Sequence, residues 1–455
     1  MALPWRWQAR ARRAAGVLQG AVGGDRPLCW APTLGAASAD RRMDRRMNRP
    51  LIIHLVDDDA EILEVLSAAL RDMGHAVTIS RTGAQGLEAI RRSRPDLVIL
   101  DLMMPEMDGT EVCRRLRADP ALADLKIIML SAKIYPADRV AAMAAGADAY
   151  AIKPILIKQL EDLIARVVLD EIEVFFWGVR GTLPAPGPRN MKYGGNTSCV
   201  QLTFPRGELF LLDAGSGIRE AGMRLMSQKR GRIKGTILIT HPHWDHINAL
   251  PFFTPLYVQG NEITIGGPAQ QGATMRDLVG AQMDGRFFPI TPGEFGASIH
   301  YTDLYQDRYL LQGIEVQTML LMHPGTCLGY RFNYHGRSVC YVTDNELYLA
   351  GSVHHGEEYL ERLSEFVAGT DLLITDTTYT DAEYPSRVGW GHASVSEVAR
   401  LAHKADVKRL AIFHHDPSQT DDDIDRKHAD TIDALARFGS RVECLAPKER
   451  DELRV

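Results

Sequence analysis

From Leu51 onward, short apolar runs alternate with amphipathic stretches in which apolar residues recur every three or four positions. The runs include LIIHLV, AVTIS, DLVILD and KIIMLS, and the stretches between them include ILEVLSAALRDMG and GAQGLEAIRRS. Apolar strands separated by amphipathic helices are typical of a parallel sheet with helices on both faces. The pattern therefore predicts a doubly wound α/β domain over residues 51–170, which ends with a helix near Ile157 to Val168.

The pattern changes near Ile172, where strands with little helix come first and mixed segments follow. The first group contains VFFWG, CVQLTF, LFLLDAG and TILITH, and the second contains VQTMLLMH, SVCYVTD, DLLITD and RLAIFHH. This order fits a four-layer αβ/βα sandwich over residues 171–455, but the pattern does not give the strand order. No Gly/Ser-rich or Pro-rich linker separates the two regions, so we expect a short junction that can transmit movement.

The first 50 residues show neither the periodicity of a helix nor that of a strand. They are rich in Arg, Ala and Gly and contain no acidic residue before Asp25. We expect a disordered arm, or an upstream start with Met43 or Met47 as the true beginning, and we expect a protein that starts at Met47 to keep its activities. An Arg-rich start also resembles a transit peptide, but the segment lacks the continuous apolar core of a secretory signal.

Composition is typical of a soluble globular protein with two or three domains, since 45% of the 455 residues are apolar and 24% are charged. No apolar run reaches the roughly 18 residues of a membrane span. The six cysteines are scattered and form no CxxC pair, which argues against disulfides or a thiolate zinc site and favours a reducing cytoplasm. The formal net charge of -6 leaves a nucleic-acid partner open without favouring it.

Polar residues follow the predicted strands of the first domain at the edge where the carboxyl ends of parallel strands meet. In chain order they are Asp57, Asp58, Asp101, Ser131 and Lys153. Ligands of doubly wound folds collect at this edge. Three carboxylates would repel one another there without a cation, so the sequence predicts Mg²⁺ bound by oxygen, with Lys153 as a fixed positive charge.

The segments HLVDDD, DLVILDLMMPEMDG, MLSAK and GADAYAIKP stand in the order and spacing of a response-regulator receiver domain, which residues 51–170 resemble. The resemblance implies that Asp101 accepts a phosphoryl group from a sensor histidine kinase. It also implies that Asp57 and Asp58 bind Mg²⁺ and that Ser131 and Lys153 contact the phosphate. Tyr150 would be the switching aromatic residue. An isolated Asp at a strand end is more often a cap or turn residue, but the matched positions together argue against that interpretation.

Four potential metal ligands lie within six residues after the strand GTILIT, namely His241, His243, Asp245 and His246. In an extended turn, the first two can face one metal ion while the other two reach a second ion beside it. Further candidates follow separate strands, namely His323, Asp344, His414 and His415. A lone histidine is more often a core or surface residue, and we interpret His300, His335, His354, His355, His403 and His428 in that way.

HPHWDH is the HxHxDH signature of the metallo-β-lactamase superfamily, which the chain resembles from about Ile172 to at least Pro417. The resemblance implies one metal ion held by His241, His243 and His323, a second held by Asp245, His246 and His414, and Asp344 as the bridge. His415 is the alternative to His414, which we prefer because it directly follows the strand. Two Zn²⁺ are the usual occupants, with Mn²⁺ or Fe left open. Asn248 stands where the family commonly has Gly.

GWGHASVSEVARLA, together with FWGVRGTLPAPGP, YGGNTSCV, LLDAGSG and FHHDP, resembles the ribonuclease Z and phosphoribosyl cyclic phosphodiesterase branch of that superfamily. The resemblance implies a metal-dependent hydrolase of a small cyclic or nucleotide-type phosphodiester. In it, His392 would protonate the leaving oxygen and Asp245 would orient the nucleophile. Asp376 would be either a hydrogen-bond partner of a ligand histidine or an ordinary strand-end residue. Three alternatives are left open. The first is hydrolysis of another substrate class, namely RNA 3′ ends, lactones or thioesters, and the second is a non-catalytic signalling module. The third is that the protein forms a homodimer.

Overall fold

The structure is a computed structural model that describes residues 50–122, 125–133, 135–228, 232–286, 288–349 and 356–455. The described part forms one compact unit from Pro50 to Val455. The predicted arm, except Pro50, lies outside the described residues, as do Met43, Met47, His354 and His355. Within the described ranges, no helix has the length and apolar character needed to cross a bilayer.

The first domain contains a five-stranded parallel sheet flanked by helices. Its strands are β1 (Ile52–Val56), β2 (Ala76–Ser80), β3 (Leu97–Asp101), β4 (Lys126–Ser131) and β5 (Ala149–Ile152). Its helices are α1 (Ala60–Asp72), α2 (Gly83–Ser93), α3 (Gly109–Arg117), α4 (Pro136–Ala144) and α5 (Ile157–Leu169). The strand order is β2-β1-β3-β4-β5, and the central β3 is buried at every position. The predicted doubly wound fold is therefore confirmed.

Aspartate side chains cap the starts of two of these helices and so help to set the loops at the carboxyl edge of the sheet. The side chain of Asp59 accepts the N–H groups of Glu61 and Ile62 at the start of α1. Asp108 accepts the N–H of Glu111 at the start of α3. Each carboxylate satisfies backbone donors that the first helical turn leaves unpaired. Neither of these two Asp residues is one of the predicted Mg²⁺ ligands.

Two seven-stranded mixed sheets form the described part of the second domain. The strands of the first sheet are β6 (Glu173–Gly178), β7 (Cys199–Thr203), β8 (Leu209–Leu212), β9 (Lys234–Leu238), β10 (Glu262–Gly267), β11 (Ser298–Asp303) and β19 (Glu452–Arg454). Those of the second are β12 (Arg308–Leu311), β13 (Ile314–Leu320), β14 (Leu328–Tyr334), β15 (Arg337–Val342), β16 (Leu372–Asp376), β17 (Arg409–Phe413) and β18 (Glu443–Leu445). The strand orders are β11-β10-β9-β8-β7-β6-β19 and β12 through β18 in sequence.

Helices cover the outer faces of both sheets. They are α6 (Ile218–Gln228), α7 (Trp244–Ile247), α8 (Met275–Gln282), α9 (Glu357–Val367), α10 (Val395–Lys404) and α11 (Asp421–Arg437). Alternate residues of β17 show the layering, because Ala411 and Phe413 join the core between the sheets. Leu410 and Ile412 join the core that includes α10. The predicted αβ/βα sandwich is therefore confirmed.

The two domains contact each other through two hairpin turns of the second domain. At the β14–β15 turn, His335 Nδ1 lies 2.6 Å from Asp170 Oδ2 and Arg337 donates to the Leu169 carbonyl at 3.1 Å. At the β7–β8 turn, Arg206 lies 3.8 Å from Asp148. Asp148 precedes β5, so this contact lies at the amino ends of the first domain's strands, opposite the edge that carries the predicted acidic pocket.

Candidate metal centre and acidic pocket

The acidic pocket lies at the carboxyl ends of β1 and β3. Carboxylate oxygens of Asp57, Asp58 and Asp101 lie within 4.8 Å of one another. Lys153 Nζ donates to Asp57 Oδ2 at 2.6 Å and to Asp101 Oδ1 at 2.5 Å. Burial raises the pKa of Asp101, although the hydrogen bond and charge of Lys153 oppose this effect. The structure thus brings three carboxylates together beside one ammonium group, and carboxylate oxygens are the ligands that a hard cation such as Mg²⁺ prefers.

Ser131 and Tyr150 lie on the neighbouring strands of the same sheet. Ser131 ends β4, is fully buried and accepts the N–H of Lys153 on its carbonyl at 2.8 Å. The Ser131 hydroxyl accepts the N–H of Lys133 at 3.0 Å, and the Tyr150 hydroxyl donates to the Lys133 carbonyl at 2.9 Å. Both predicted residues therefore contact the segment that follows β4, at the edge where Lys153 reaches the acidic pocket.

The candidate metal centre lies where parallel strands of the two sheets of the second domain end. β8 and β9 run parallel in one sheet, and β15, β16 and β17 run parallel in the other. The predicted ligands follow these strands with one exception. His323 follows β13 instead and stands three residues beyond its end. They form two groups whose ligand atoms lie within 4.8 Å of one another, the first with His241, His243 and His323 and the second with Asp245, His246, Asp344 and His414.

In the first group, three ring nitrogens converge. His323 Nε2 lies 3.2 Å from His243 Nδ1. The other ring nitrogen of His323 donates to the Gly391 carbonyl at 3.1 Å, and His241 Nδ1 lies 3.2 Å from the Thr240 hydroxyl. Because these outer contacts use Nδ1 of His241 and His323, the Nε2 atom of each is left for the centre.

In the second group, two imidazoles face two carboxylates. His246 Nε2 lies 3.1 Å from both Asp245 Oδ2 and Asp344 Oδ2. His414 Nε2 lies 3.2 Å and 3.3 Å from the same two oxygens. The other oxygen of Asp344 lies 3.9 Å from His241 Nε2. The Asp344 carboxylate therefore stands between the two groups, where a bridging ligand would be needed.

Buried outer partners fix these rings. Asp213, which directly follows β8, accepts from His246 Nδ1 at 2.7 Å and from the hydroxyls of Thr240 and Tyr341 at 3.0 and 2.9 Å. Such carboxylates set the ring orientation and tautomer of a ligand histidine. The sequence analysis did not single out Asp213, although it stands in the quoted segment LLDAGSG at the end of an apolar run, which is the signal that identified Asp344 and Asp376.

The donor atoms fit two neighbouring divalent cations. His241 Nε2 is buried and has no hydrogen-bond partner among the described residues. Such an atom costs free energy unless it binds something. Burial lowers the pKa of His241, His243 and His323, which favours the neutral imidazole that coordinates metals. Imidazole and carboxylate ligands suit Zn²⁺, Mn²⁺ or Fe.

Two glycines let loop backbone approach the proposed ligands closely. A Cβ atom on Gly181 would lie 2.1 Å from a carbon of the His414 ring. A Cβ atom on Gly391, whose φ is +87°, would lie 2.1 Å from His323 Nδ1. Any larger residue at either position would displace the histidine or the loop, so these loops help to place one ring in each group.

His392 lies beside the second group. Its Nδ1 donates to Asp376 Oδ2 at 2.6 Å, and its ring stacks on that of His414 with centroids 5.0 Å apart. Burial acts to lower the pKa of His392, but the charge and hydrogen bond of Asp376 outweigh burial and raise it to about 9. The two sequence interpretations of Asp376 need correction, because this fully buried carboxylate holds His392 rather than a predicted metal ligand and is not an ordinary strand-end residue.

Of the two adjacent histidines after β17, His414 enters the metal-ligand group, and His415 does not. His415 is fully buried, and its backbone exchanges hydrogen bonds with Val179 and Gly181 at 3.1 and 2.9 Å. Asn248 follows α7 with a φ of −58°, so the turn after the HPHWDH segment does not require glycine.

Comparison with known proteins finds two family matches in separate parts of the chain. Residues 53–165 match the response regulator receiver domain family, and residues 209–415 match the beta-lactamase superfamily domain. The DNA-binding response regulator MtrA of Mycobacterium tuberculosis is 45% identical over 125 residues, which are 28% of this chain and 51% of MtrA. The chain spans about half the length of the curated relatives it matches.

Two solved structures resemble the second domain. The metallo-beta-lactamase fold protein YhfI from Bacillus subtilis is 16% identical with a TM-score of 0.45, over 63% of this chain and 100% of YhfI. The short form of human tRNase Z is 22% identical with a TM-score of 0.41, over 62% of this chain and 98% of that protein.

Proposed function

Since the chain joins a response regulator receiver domain to a beta-lactamase superfamily domain, we propose that it is a two-component response regulator whose output is a dinuclear-metal phosphodiesterase. The observation that carries the proposal is the pair of adjacent ligand groups bridged by Asp344, with the His392–Asp376 pair beside them. The substrate is a small cyclic or nucleotide-type phosphodiester. A sensor histidine kinase of the cytoplasm supplies the phosphoryl group.

The residues of the metal centre have distinct tasks in this reaction. His241, His243 and His323 would hold one cation, the group that contains Asp245, His246 and His414 would hold the other, and the Asp344 carboxylate stands between the two groups. The cations supply activation of water as the nucleophile and stabilisation of charge on the phosphoryl oxygens. Asp245 is held by the Thr182 N–H at 2.7 Å, which fixes the carboxylate that orients the nucleophile.

His392 acts as the general acid. Asp376 accepts from His392 Nδ1 at 2.6 Å, and its negative charge favours the protonated ring and keeps it in place. The proton goes to the leaving oxygen as the P–O bond breaks. An alkoxide leaves poorly without a proton, whereas a thiolate leaves readily. The His392–Asp376 pair therefore favours an oxygen ester over a thioester.

In the receiver domain, Asp101 is the phosphoacceptor. Its neighbours Asp57 and Asp58 would hold Mg²⁺, and Lys153 offers a positive charge 2.5 Å from Asp101 Oδ1. Mg²⁺ supplies charge neutralisation for the incoming phosphoryl oxygens. The buried Ser131, on the adjacent strand, contacts the phosphate, and Tyr150 is the aromatic residue that switches.

A substrate panel tests the hydrolase assignment. Metal-loaded protein should hydrolyse bis(p-nitrophenyl) phosphate and a 2′,3′-cyclic nucleotide, and should be at least about 100-fold slower on lactones and thioesters. His243→Ala, which removes one proposed ligand, should lose the activity and part of the bound metal together. Turnover of lactones or thioesters without phosphodiesters would overturn the proposal.

Phosphorylation tests the receiver assignment. Acetyl phosphate with Mg²⁺ should add one phosphoryl group that is sensitive to hydroxylamine, as expected for an acyl phosphate. Asp101→Asn should prevent the labelling, and Asp108→Asn, which changes a helix cap of the same domain, should leave the stoichiometry unchanged. Labelling that persists in Asp101→Asn would show that the phosphoacceptor is elsewhere.

A further inference from the structure

A fully buried lysine lies behind the metal centre. Lys427 on α11 has no exposed surface, and burial lowers its pKa to about 7. Its Nζ donates to the Thr378 carbonyl at 3.0 Å and to Gln419 Oε1 at 2.7 Å, so neither hydrogen bond goes to a carboxylate. A buried cation without a directly paired anion costs stability. Packing therefore does not account for a lysine at this position.

Thr378, the first of these acceptors, links the two parts of the proposed chemistry. Its N–H donates to Asp376 Oδ1 at 2.9 Å, and its hydroxyl has two acceptors at 2.8 Å, the same Asp376 oxygen and the His414 carbonyl. Its Oγ1 also lies 3.1 Å from His414 Nδ1. Because either acceptor takes the one hydroxyl proton, Oγ1 accepts the proton of His414 Nδ1, which leaves His414 Nε2 for the metal.

A closed ring of hydrogen bonds holds the Thr378 carbonyl. The carbonyl accepts from Lys427 Nζ and also from Gln419 Nε2 at 2.9 Å. Lys427 in turn donates to the amide oxygen of Gln419, so the three groups constrain one another. The backbone carbonyl of Gln419 accepts from the fully buried Arg180, which anchors the ring to the loop after β6.

We propose that Lys427 is a positioning residue for the metal centre. It fixes the Thr378 peptide unit, and Thr378 sets the ring of His414 and the carboxylate that holds His392. The part that concerns proton transfer rests on the proposed function. The part that concerns His414 rests on metal binding and is measurable without any substrate.

Lys427→Met tests the proposal because it keeps the length of the side chain and removes the donor. The metal-stripped variant should unfold at the same temperature as the wild type or a higher one. In competition with a chromophoric chelator, the more weakly bound Zn²⁺ should bind about 10-fold less tightly. On phosphodiesters, kcat should fall while KM changes little. Arg426→Met, at an exposed position of the same helix, is the matched control.

A double-mutant cycle tests the route through Thr378. Thr378→Val removes the hydroxyl and should weaken Zn²⁺ binding as Lys427→Met does. The double variant should then lose little more than the larger single loss, because both changes break one chain of contacts. Additive losses would overturn the route.

Unchanged Zn²⁺ affinity and kcat in folded Lys427→Met would overturn the whole proposal. If that variant does not fold, Gln419→Met removes the other donor to the same carbonyl, and unchanged values there would overturn it equally. A wild-type protein that binds two Zn²⁺ and cleaves no phosphodiester would refute the proposed function alone, since the Zn²⁺ measurement remains interpretable.

Discussion

Two histidines of the candidate metal centre have a buried carboxylate on Nδ1. Asp376 accepts from His392 at 2.6 Å, and Asp213 accepts from the proposed ligand His246 at 2.7 Å. The two histidines differ in their surroundings, because His246 Nε2 lies 3.1 Å from Asp245 Oδ2 and Asp344 Oδ2 inside the second ligand group, whereas His392 stacks beside that group on the ring of His414. Metal binding and proton transfer are thus assigned to different side chains.

This separation predicts the behaviour of His392→Ala. Bound metal should stay near the wild-type level, while turnover of a sugar phosphodiester should fall about 10²- to 10⁴-fold, the usual contribution of a positioned general acid. A p-nitrophenyl ester should be affected much less, because its leaving group departs without a proton. Metal content by mass spectrometry and rates on both esters are the measurements. Equal losses on both esters, or loss of metal, would exclude His392 as the general acid.

The sequence was most informative about which single residues are candidate ligands. The candidate ligands follow apolar strands, and a strand end is visible as the point where an apolar run meets a polar residue. The same signal was present at Asp213, but its role depends on His246, which is 33 positions away along the chain. Nothing in the sequence indicated a role for Lys427, because the burial of one lysine on an amphipathic helix is visible only in the packed structure.

At the level of elements, the loop between β16 and α10 determines the orientation of His323. Gly391 and Gly389 in this loop both have positive φ values, +87° and +84°. A Cβ atom on Gly391 would collide with His323, whereas nothing lies within 4 Å of one on Gly389. The two glycines therefore share a backbone conformation and differ in their contact with the metal centre.

The pair provides a matched experiment. Gly391→Ala and Gly389→Ala should both lose about 1 kcal/mol of stability, because each places a Cβ in the left-handed region. Gly391→Ala should also bind the first metal ion at least about 10-fold more weakly, because it pushes His323 away. The measurement is the Zn²⁺ affinity of each variant, compared with that of the wild type. Similar affinities would mean that His323 does not depend on this loop.

The apolar runs were enough to predict which segments form strands and helices. The residues at which these elements end could be predicted less well. The run VQTMLLMH leads into His323, yet β13 ends at Leu320, and the His323 N–H bonds to the Leu321 carbonyl at 3.1 Å within the loop that follows. The order of the fourteen described strands of the second domain could not be predicted either. Pairing across sheets depends on contacts between residues that are distant in the chain.

At the scale of the whole molecule, Asp170 joins the two domains. It accepts from His335 at 2.6 Å and from the Tyr334 hydroxyl at 3.2 Å, both in the second domain, and lies 3.5 Å from Lys126 in the first. Burial acts to raise the pKa of Asp170, but the hydrogen bond of His335 and the charge of Lys126 outweigh burial and lower it. The contact therefore stabilises the protein most when Asp170 is ionised.

The sign of this shift predicts a pH dependence. Asp170 contributes stability above its unfolded-state pKa of about 3.9 and loses that contribution as the pH falls through its lower folded-state pKa. Asp170→Asn keeps the left-handed backbone and should cost about 1 kcal/mol at pH 7, with the difference shrinking as the pH falls below the unfolded-state pKa. Urea unfolding midpoints at several pH values measure it. Asp162→Asn on the same helix is the control, and an equal effect there would contradict the prediction.

The junction is built from charged and polar groups. Asp170 with Lys126 and His335, and Asp148 with Arg206, are spaced 2.6 to 3.8 Å apart near the protein surface. Dissolved ions screen such pairs, and the screening length falls from about 10 Å at 0.1 M salt to about 3 Å at 1 M. The buried hydrogen bonds around the metal centre are shielded from that effect. A rise in salt concentration should therefore weaken the contact between the domains before it disturbs the candidate metal centre.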